Sequence, residues 1–189
     1  MMRRILGNRY VQGAALVVVA AGAVLANGAI SQADAATKSA PAACAGSQIR
    51  PRLVHGTDAD PDPSANQTTA LLAFKNTGTR TCSLVGYPGV DLVAKNGTTW
   101  SLARQKQKAE KVVLKPGYET MADITLLPWN KSEAGTGSQE FKPVAVRVTP
   151  PNTRTTTTLA WPWSKLGVLR QDAATHPGTY IGTVYGTAH

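Results

Sequence analysis

From residue 36 onward, no stretch of 11 or more residues holds apolar side chains at helical spacing. Short runs rich in β-branched residues alternate instead with turn signals. Ile49–His55 sets Ile49, Pro51, Leu53 and His55 on one face. Thr68–Lys75, Thr81–Val85, Val90–Ala94, Thr99–Ala103 and Lys111–Leu114 follow as strands. Glu119–Leu127 alternates Ala122, Ile124 and Leu126 with Met121, Asp123 and Thr125, as a strand with one wet face should. Val144, Val146 and Val148 alternate with Ala145 and Arg147, and Thr155–Leu159 and Thr179–Tyr185 complete the series. This rhythm predicts an all-β fold, a two-sheet β-sandwich. Ser164–Thr175 is the one place where a short helical turn fits.

The turns carry their own chemistry. Asn76-Thr77-Gly78-Thr79 is a tight turn, and Pro116-Gly117 stops the strand before it. Asn96-Gly97 is the strongest hairpin signal, because both residue types tolerate positive φ, and it makes its flanking strands antiparallel. Residues 58–66 hold three aspartates, which suggests calcium, but they lack the ordered ligand series and terminal Glu of a calcium loop. A solvated turn is the expectation there.

The first 35 residues address compartment. Arg3, Arg4 and Arg9 precede an apolar run from Ala14 to Ile30, and Ala33-Asp34-Ala35 offers small residues for cleavage. That order is the order of a secretory signal. An uncut anchor is the alternative, but the run is rich in Ala and Gly rather than Leu. The Arg3-Arg4 pair leaves twin-arginine export open beside the general route. The expected organisation is a signal peptide at 1–35, a flexible tether at 36–43 and one sandwich domain at 44–189. Of the 189 residues, 154 then remain, enough for a real core. The net charge of +9 falls to +7 once Arg3, Arg4, Arg9 and Asp34 leave. A basic surface outside a cell favours an anionic wall polymer or lipid headgroup and disfavours nucleic acid, for which no motif is present.

Two cysteines, Cys44 and Cys82, make one disulfide in an oxidising compartment, the alternative being two free thiols. His55, His176 and His189 form no metal-ligand spacing, so neither a metal nor another cofactor is expected. There is no Gly-x-Ser-x-Gly elbow, no His-Glu-x-x-His and no phosphate-cradling glycine motif. An enzyme is therefore not expected.

The run from Phe74 to Gly89, with Cys82-x-Leu84-x-Gly86-Tyr87-Pro88-Gly89 at its heart, resembles the signature of an actinobacterial family of secreted domains of unknown function. Val90-Asp91-Leu92, Leu114-Lys115-Pro116-Gly117 and Pro150-Pro151 extend the resemblance, which covers about Cys44 to Leu159. It implies an immunoglobulin-like sandwich, export and pairing of Cys44 with Cys82; it implies no reaction. Asn76, Gly78, Gly86, Tyr87, Pro88 and Gly89 are its structural residues, Gly86 and Gly89 permitting a corner from which the Tyr87 hydroxyl reaches backbone. The corner could instead be a recognition surface.

Two features could bind. Arg104, Lys106 and Lys108 would stand about 6.8 Å apart on one side of an extended chain. With Lys111 and Lys115 they could meet a repeating anion, or merely blunt a solvated edge. Trp161-Pro162-Trp163, with Trp129, could form a flat platform for sugar rings or a protein, or pack beneath the sandwich. The sequence thus suggests a secreted or wall-associated, non-catalytic binding module for an anionic cell-wall polymer. Alternatives are a protein-binding module, such as an inhibitor of a secreted protease using the loop Pro128–Gly137, and a hydrolase with an unrecognised site. No membrane span is expected after signal cleavage.

Overall fold

The computed structural model describes residues 39–56, 58, 60–130, 139–170 and 178–186. The signal segment 1–35 lies outside the described residues, as do 131–138 of the Pro128–Gly137 loop and its surroundings. Among the described residues the regular structure is β, apart from one 3-10 turn at Gly46–Gln48.

The strands are β1 (Ile49–Leu53), β2 (Thr68–Asn76), β3 (Cys82–Val85), β4 (Gly89–Ala94), β5 (Thr99–Ser101), β6 (Ala103–Arg104) and β7 (Lys111–Leu114). They continue as β8 (Glu119–Leu126), β9 (Gln139–Phe141), β10 (Pro143–Thr149), β11 (Thr157–Ala160), β12 (Val168–Arg170), β13 (Tyr180–Ile181) and β14 (Tyr185–Gly186). The larger sheet runs β1-β2-β8-β13-β6, with β14 also on β8; the smaller runs β11-β10-β4-β5. Two ribbons, β9–β12 and β3–β7, complete the sandwich-like fold.

The period-2 pattern explains the core. Ala70, Leu72 and Phe74 of β2 and Ala122, Ile124 and Leu126 of β8 point inward from the larger sheet. They meet Leu92 of β4 and Val146 and Val148 of β10 from the smaller one in a single cluster. Burying each Leu, Ile or Phe stabilises by about 1.5–3 kcal/mol. Among the described residues every member of the cluster lies between Cys44 and Val184. No helix among the described residues is long and apolar enough to cross a membrane.

Several local expectations change. β1 buries Ile49, Pro51 and Leu53, but the strand ends there and His55 is exposed. Val144 is 49% exposed: the pairing of β10 with β4 shifts by one residue between Pro143 and Ala145, which turns Val144 out of the alternation. Val168–Arg170 is a strand rather than a helical turn, and 171–175 fall outside the described residues. The Asn-Gly hairpin joins β4 to β5 antiparallel, yet of its two turn residues only Gly97 has positive φ, at +83°. Ala94 and Thr98 close a three-residue loop, a type I turn followed by a left-handed glycine.

The disulfide Cys44–Cys82 forms, with a Cα–Cα distance of 4.8 Å. It joins neighbours rather than opposite layers: Cys44 N–H donates to Ser83 O, and Ser83 N–H to Ala42 O, so the segment before β1 runs parallel beside β3. Asn76 does more than turn the chain. Its side chain is fully buried, donates to Arg80 O and Leu114 O, and accepts from Gly78 N–H, locking the turn to the end of β7.

Candidate functional site: a basic strip and groove held by a tyrosine corner

The corner Gly86-Tyr87-Pro88-Gly89 lies between β3 and β4. Gly86 has φ of +105°, a conformation closed to residues with a Cβ. Gly89 needs no such freedom; it begins β4 opposite Thr149. The Tyr87 hydroxyl contacts Gln105 O, lies 2.8 Å from Gln107 O and accepts from Gln107 N–H at 3.0 Å. The expected reach to backbone is therefore present, and what it holds is the segment following β6.

That segment carries the predicted positive row. Past Arg104 it forms no ladder, yet alternation persists. Gln105 N–H donates to Ile181 O, and the Gln107 side-chain oxygen accepts from both Thr183 N–H and Thr183 Oγ1. Glutamines thus face the sheet while Lys106 and Lys108 stand exposed. The Arg104 guanidinium sits 5.7 Å from the Tyr87 ring centre, a cation–π contact that anchors the row's first member. Lys111 and Lys115, also exposed, bracket β7.

A groove of about 480 Å³ opens between β7 and β14, lined by Lys108, Lys111, Val113, Val184 and Tyr185 among others. Its second wall was not foreseen. A regular strand over Thr179–Tyr185 would put Tyr185 on the same side as buried Ile181. Instead Tyr180 pairs with Thr125 and Ile181 with Ile124, but Tyr185 pairs with Met121 and Gly186 with Thr120. One extra residue is accommodated in Gly182–Val184, and Tyr185 flips to the outer face. Gly86 O receives Val184 N–H and Asp123 O receives Gly182 N–H, so the corner also holds this bulge. The Tyr185 hydroxyl donates to Asp123 Oδ1 at 2.7 Å. Burial, then the carboxylate, push this phenol well above its ordinary range.

The tryptophans form no flat platform. Trp161 is buried in the core, with Trp163 packed against it edge-to-face, centroids 4.9 Å apart and planes at 85°. Trp163 donates its indole N–H to Asp60 Oδ1 at 2.8 Å, and this bond, ahead of one from Gly56, holds the Asp60 carboxyl below its usual range. Trp129 is half-buried in a separate cleft beside Pro63, Asn66 and Leu169. Among the described residues no group of three His, Cys, Asp or Glu side chains could hold a metal.

No curated protein matches the chain. A solved β-glucosidase from Kluyveromyces marxianus is similar over 71% of this chain at 16% identity, with a TM-score of 0.32. The chain spans 15% of that enzyme's length, and a likeness this loose carries neither fold nor activity. The family model described as Domain of unknown function (DUF4232) matches residues 44–180, from the first disulfide cysteine to the first residue of β13, and the chain belongs to that family.

Proposed function

We propose that this protein is a non-catalytic module that works outside the cytoplasm and binds an anionic component of the cell envelope through Arg104, Lys106, Lys108, Lys111 and Lys115. The observation that carries the reading is the pinned strip. Tyr87 and Gln107 fix the backbone from 105 to 107, and alternation leaves Lys106 and Lys108 free to face a ligand. Ordering the backbone in advance lowers the entropy cost of binding an extended partner. The leader-like order of Arg3, Arg4, the apolar run and Ala33-Asp34-Ala35 supports export. The disulfide is compatible with an oxidising, extracellular location. The signature from Cys82 to Gly89 supports kinship with secreted actinobacterial domains. An anionic wall polymer with repeating charge suits a row of cations two residues apart.

The test is retention on isolated cell wall at low ionic strength. Reversing charge at both Lys106 and Lys108 (K106E with K108E) should release the protein, and added salt should do the same to the parent. Unchanged retention of the double variant would refute the assignment.

A further inference from the structure

The basic strip does not stand alone on its face. Among the described residues four large apolar or aromatic side chains are exposed: Val113, Tyr118, Val144 and Tyr185. Two of them lie here. Val113 and Tyr185 line the groove with Lys108 and Lys111. Tyr118 lies in the turn between β7 and β8, with the Lys115 ammonium 5.7 Å from its ring centre. Lys111 and Val113 are the outward residues of β7, and Tyr185 stands opposite the outward Met121 of β8. Of the nearby carboxylates among the described residues, Asp123 accepts from Tyr185 and Glu119 is paired with Arg52, which leaves Glu110 as the acid lining the groove.

A soluble polyanion needs cations alone. It does not explain a Val and a Tyr exposed beside two lysines, the Tyr turned outward by a bulge. A bilayer interface explains both. Tyrosine rings settle at headgroup level, lysine stems lie along apolar surface with the ammonium at the phosphates, and anionic lipid attracts each cation. We infer that this face docks on a membrane containing anionic phospholipid, with Val113 and Tyr185 entering the headgroup layer and Lys108 and Lys111 meeting phosphates. This rests on the proposed reading that the strip binds an anion, and names the lipid surface as its source.

The chain from residue 36 contains every core residue among those described and suits sedimentation with vesicles. It should bind mixed phosphatidylglycerol–phosphatidylcholine vesicles and not phosphatidylcholine alone. K108Q with K111Q should weaken binding roughly fivefold per cation. Val113→Thr, which keeps the β-branched shape on an exposed strand position, should weaken it roughly fivefold in high salt, where charge is screened. An unchanged thermal midpoint checks that each variant is folded. Equal binding to both vesicle types, or no effect of Val113→Thr, overturns the inference. Retention on lipid-free wall without vesicle binding overturns it while leaving the anionic-ligand reading intact; failure in both assays overturns both.

Discussion

Removing one oxygen from Tyr87 tests whether the corner positions the strip. In Tyr87→Phe the ring and its contact with Arg104 remain, so packing and charge are preserved. What disappears is the hydroxyl, with its contacts to Gln105 O and Gln107 O and its acceptance of Gln107 N–H. A hydroxyl has one proton, so at any moment it donates to one carbonyl and accepts one amide. Two bonds at about 1 kcal/mol each set an upper figure of about 2 kcal/mol, and water reaching exposed Gln107 lowers it toward about 1 kcal/mol. For a chain of this size that is a fall in Tm of about 2–8 °C. The sharper readout is local. Opening of the segment should become roughly 5–30 times more frequent, so amide exchange should quicken by that factor at Gln107 and, through its side chain, at Thr183. The inner amides of β2 and β8 should slow or quicken only with global stability. Binding to the anionic ligand should weaken although no charge has changed. If exchange at Gln107 and Thr183 moves no more than exchange in β8, the hydroxyl acts on the fold as a whole and the positioning argument is wrong.

Two further outcomes follow from the same structure. Replacing both Cys44 and Cys82 by Ala opens a loop spanning a sequence separation of 38 and should cost about 4 kcal/mol on the chain-entropy model, read as a lowered free energy of unfolding in urea, with midpoint and slope fitted separately because the uncrosslinked unfolded chain is less compact; a loss below about 1 kcal/mol would contradict it. Arg52 grips Glu119 with Nη2–Oε2 of 2.7 Å, and this hydrogen bond, ahead of the charges of Arg52 and Lys75, holds the Glu119 carboxyl below its unfolded value near 4.5. A lowered folded pKa means stability that is present above that value and lost as pH falls through the folded one. Glu119→Gln should therefore flatten the acid limb below about pH 4.5, by less than about 1 kcal/mol because the Arg52 side chain is half exposed. Identical acid limbs for the two proteins would remove the ion pair from the account.

Local rules in the sequence carry far in this chain, and they fail where distant segments decide. β2 and β8 are legible because each alternates against one core, and a slip of one residue would expose Leu72, Phe74 and Ile124 together. The Asn-Gly turn is legible in place but not in conformation: the left-handed position falls on Gly97 alone, the third residue of the loop. Trp161-Pro162-Trp163 gives no sign of which indole turns inward, since that depends on Asp60, a hundred residues away in the chain, taking the Trp163 N–H. Lys106 and Lys108 are exposed past the end of β6, as an extended polar segment suggests. The other half of the site does not show in the sequence. Tyr185 reaches the outer face only because Gly182–Val184 bulge, and the bulge is held by Gly86 O and the Gln107 side chain, both far off in sequence.

That dependence joins two readings of the corner that look like alternatives in the sequence, structural and functional. Gly86 bends the backbone so that its carbonyl meets Val184, and Tyr87 reaches the other way to fix Gln107. One wall of the groove is the bulged strand that turns Tyr185 outward; the other carries Lys108 and Lys111. Both hang from adjacent residues of the same turn. A corner that served packing alone would need only its buried proline and the glycine's φ. The phenol contributes little to the core and spends its hydrogen bonds on an exposed, charged segment, which makes physical sense if the geometry of that segment matters to something the protein touches.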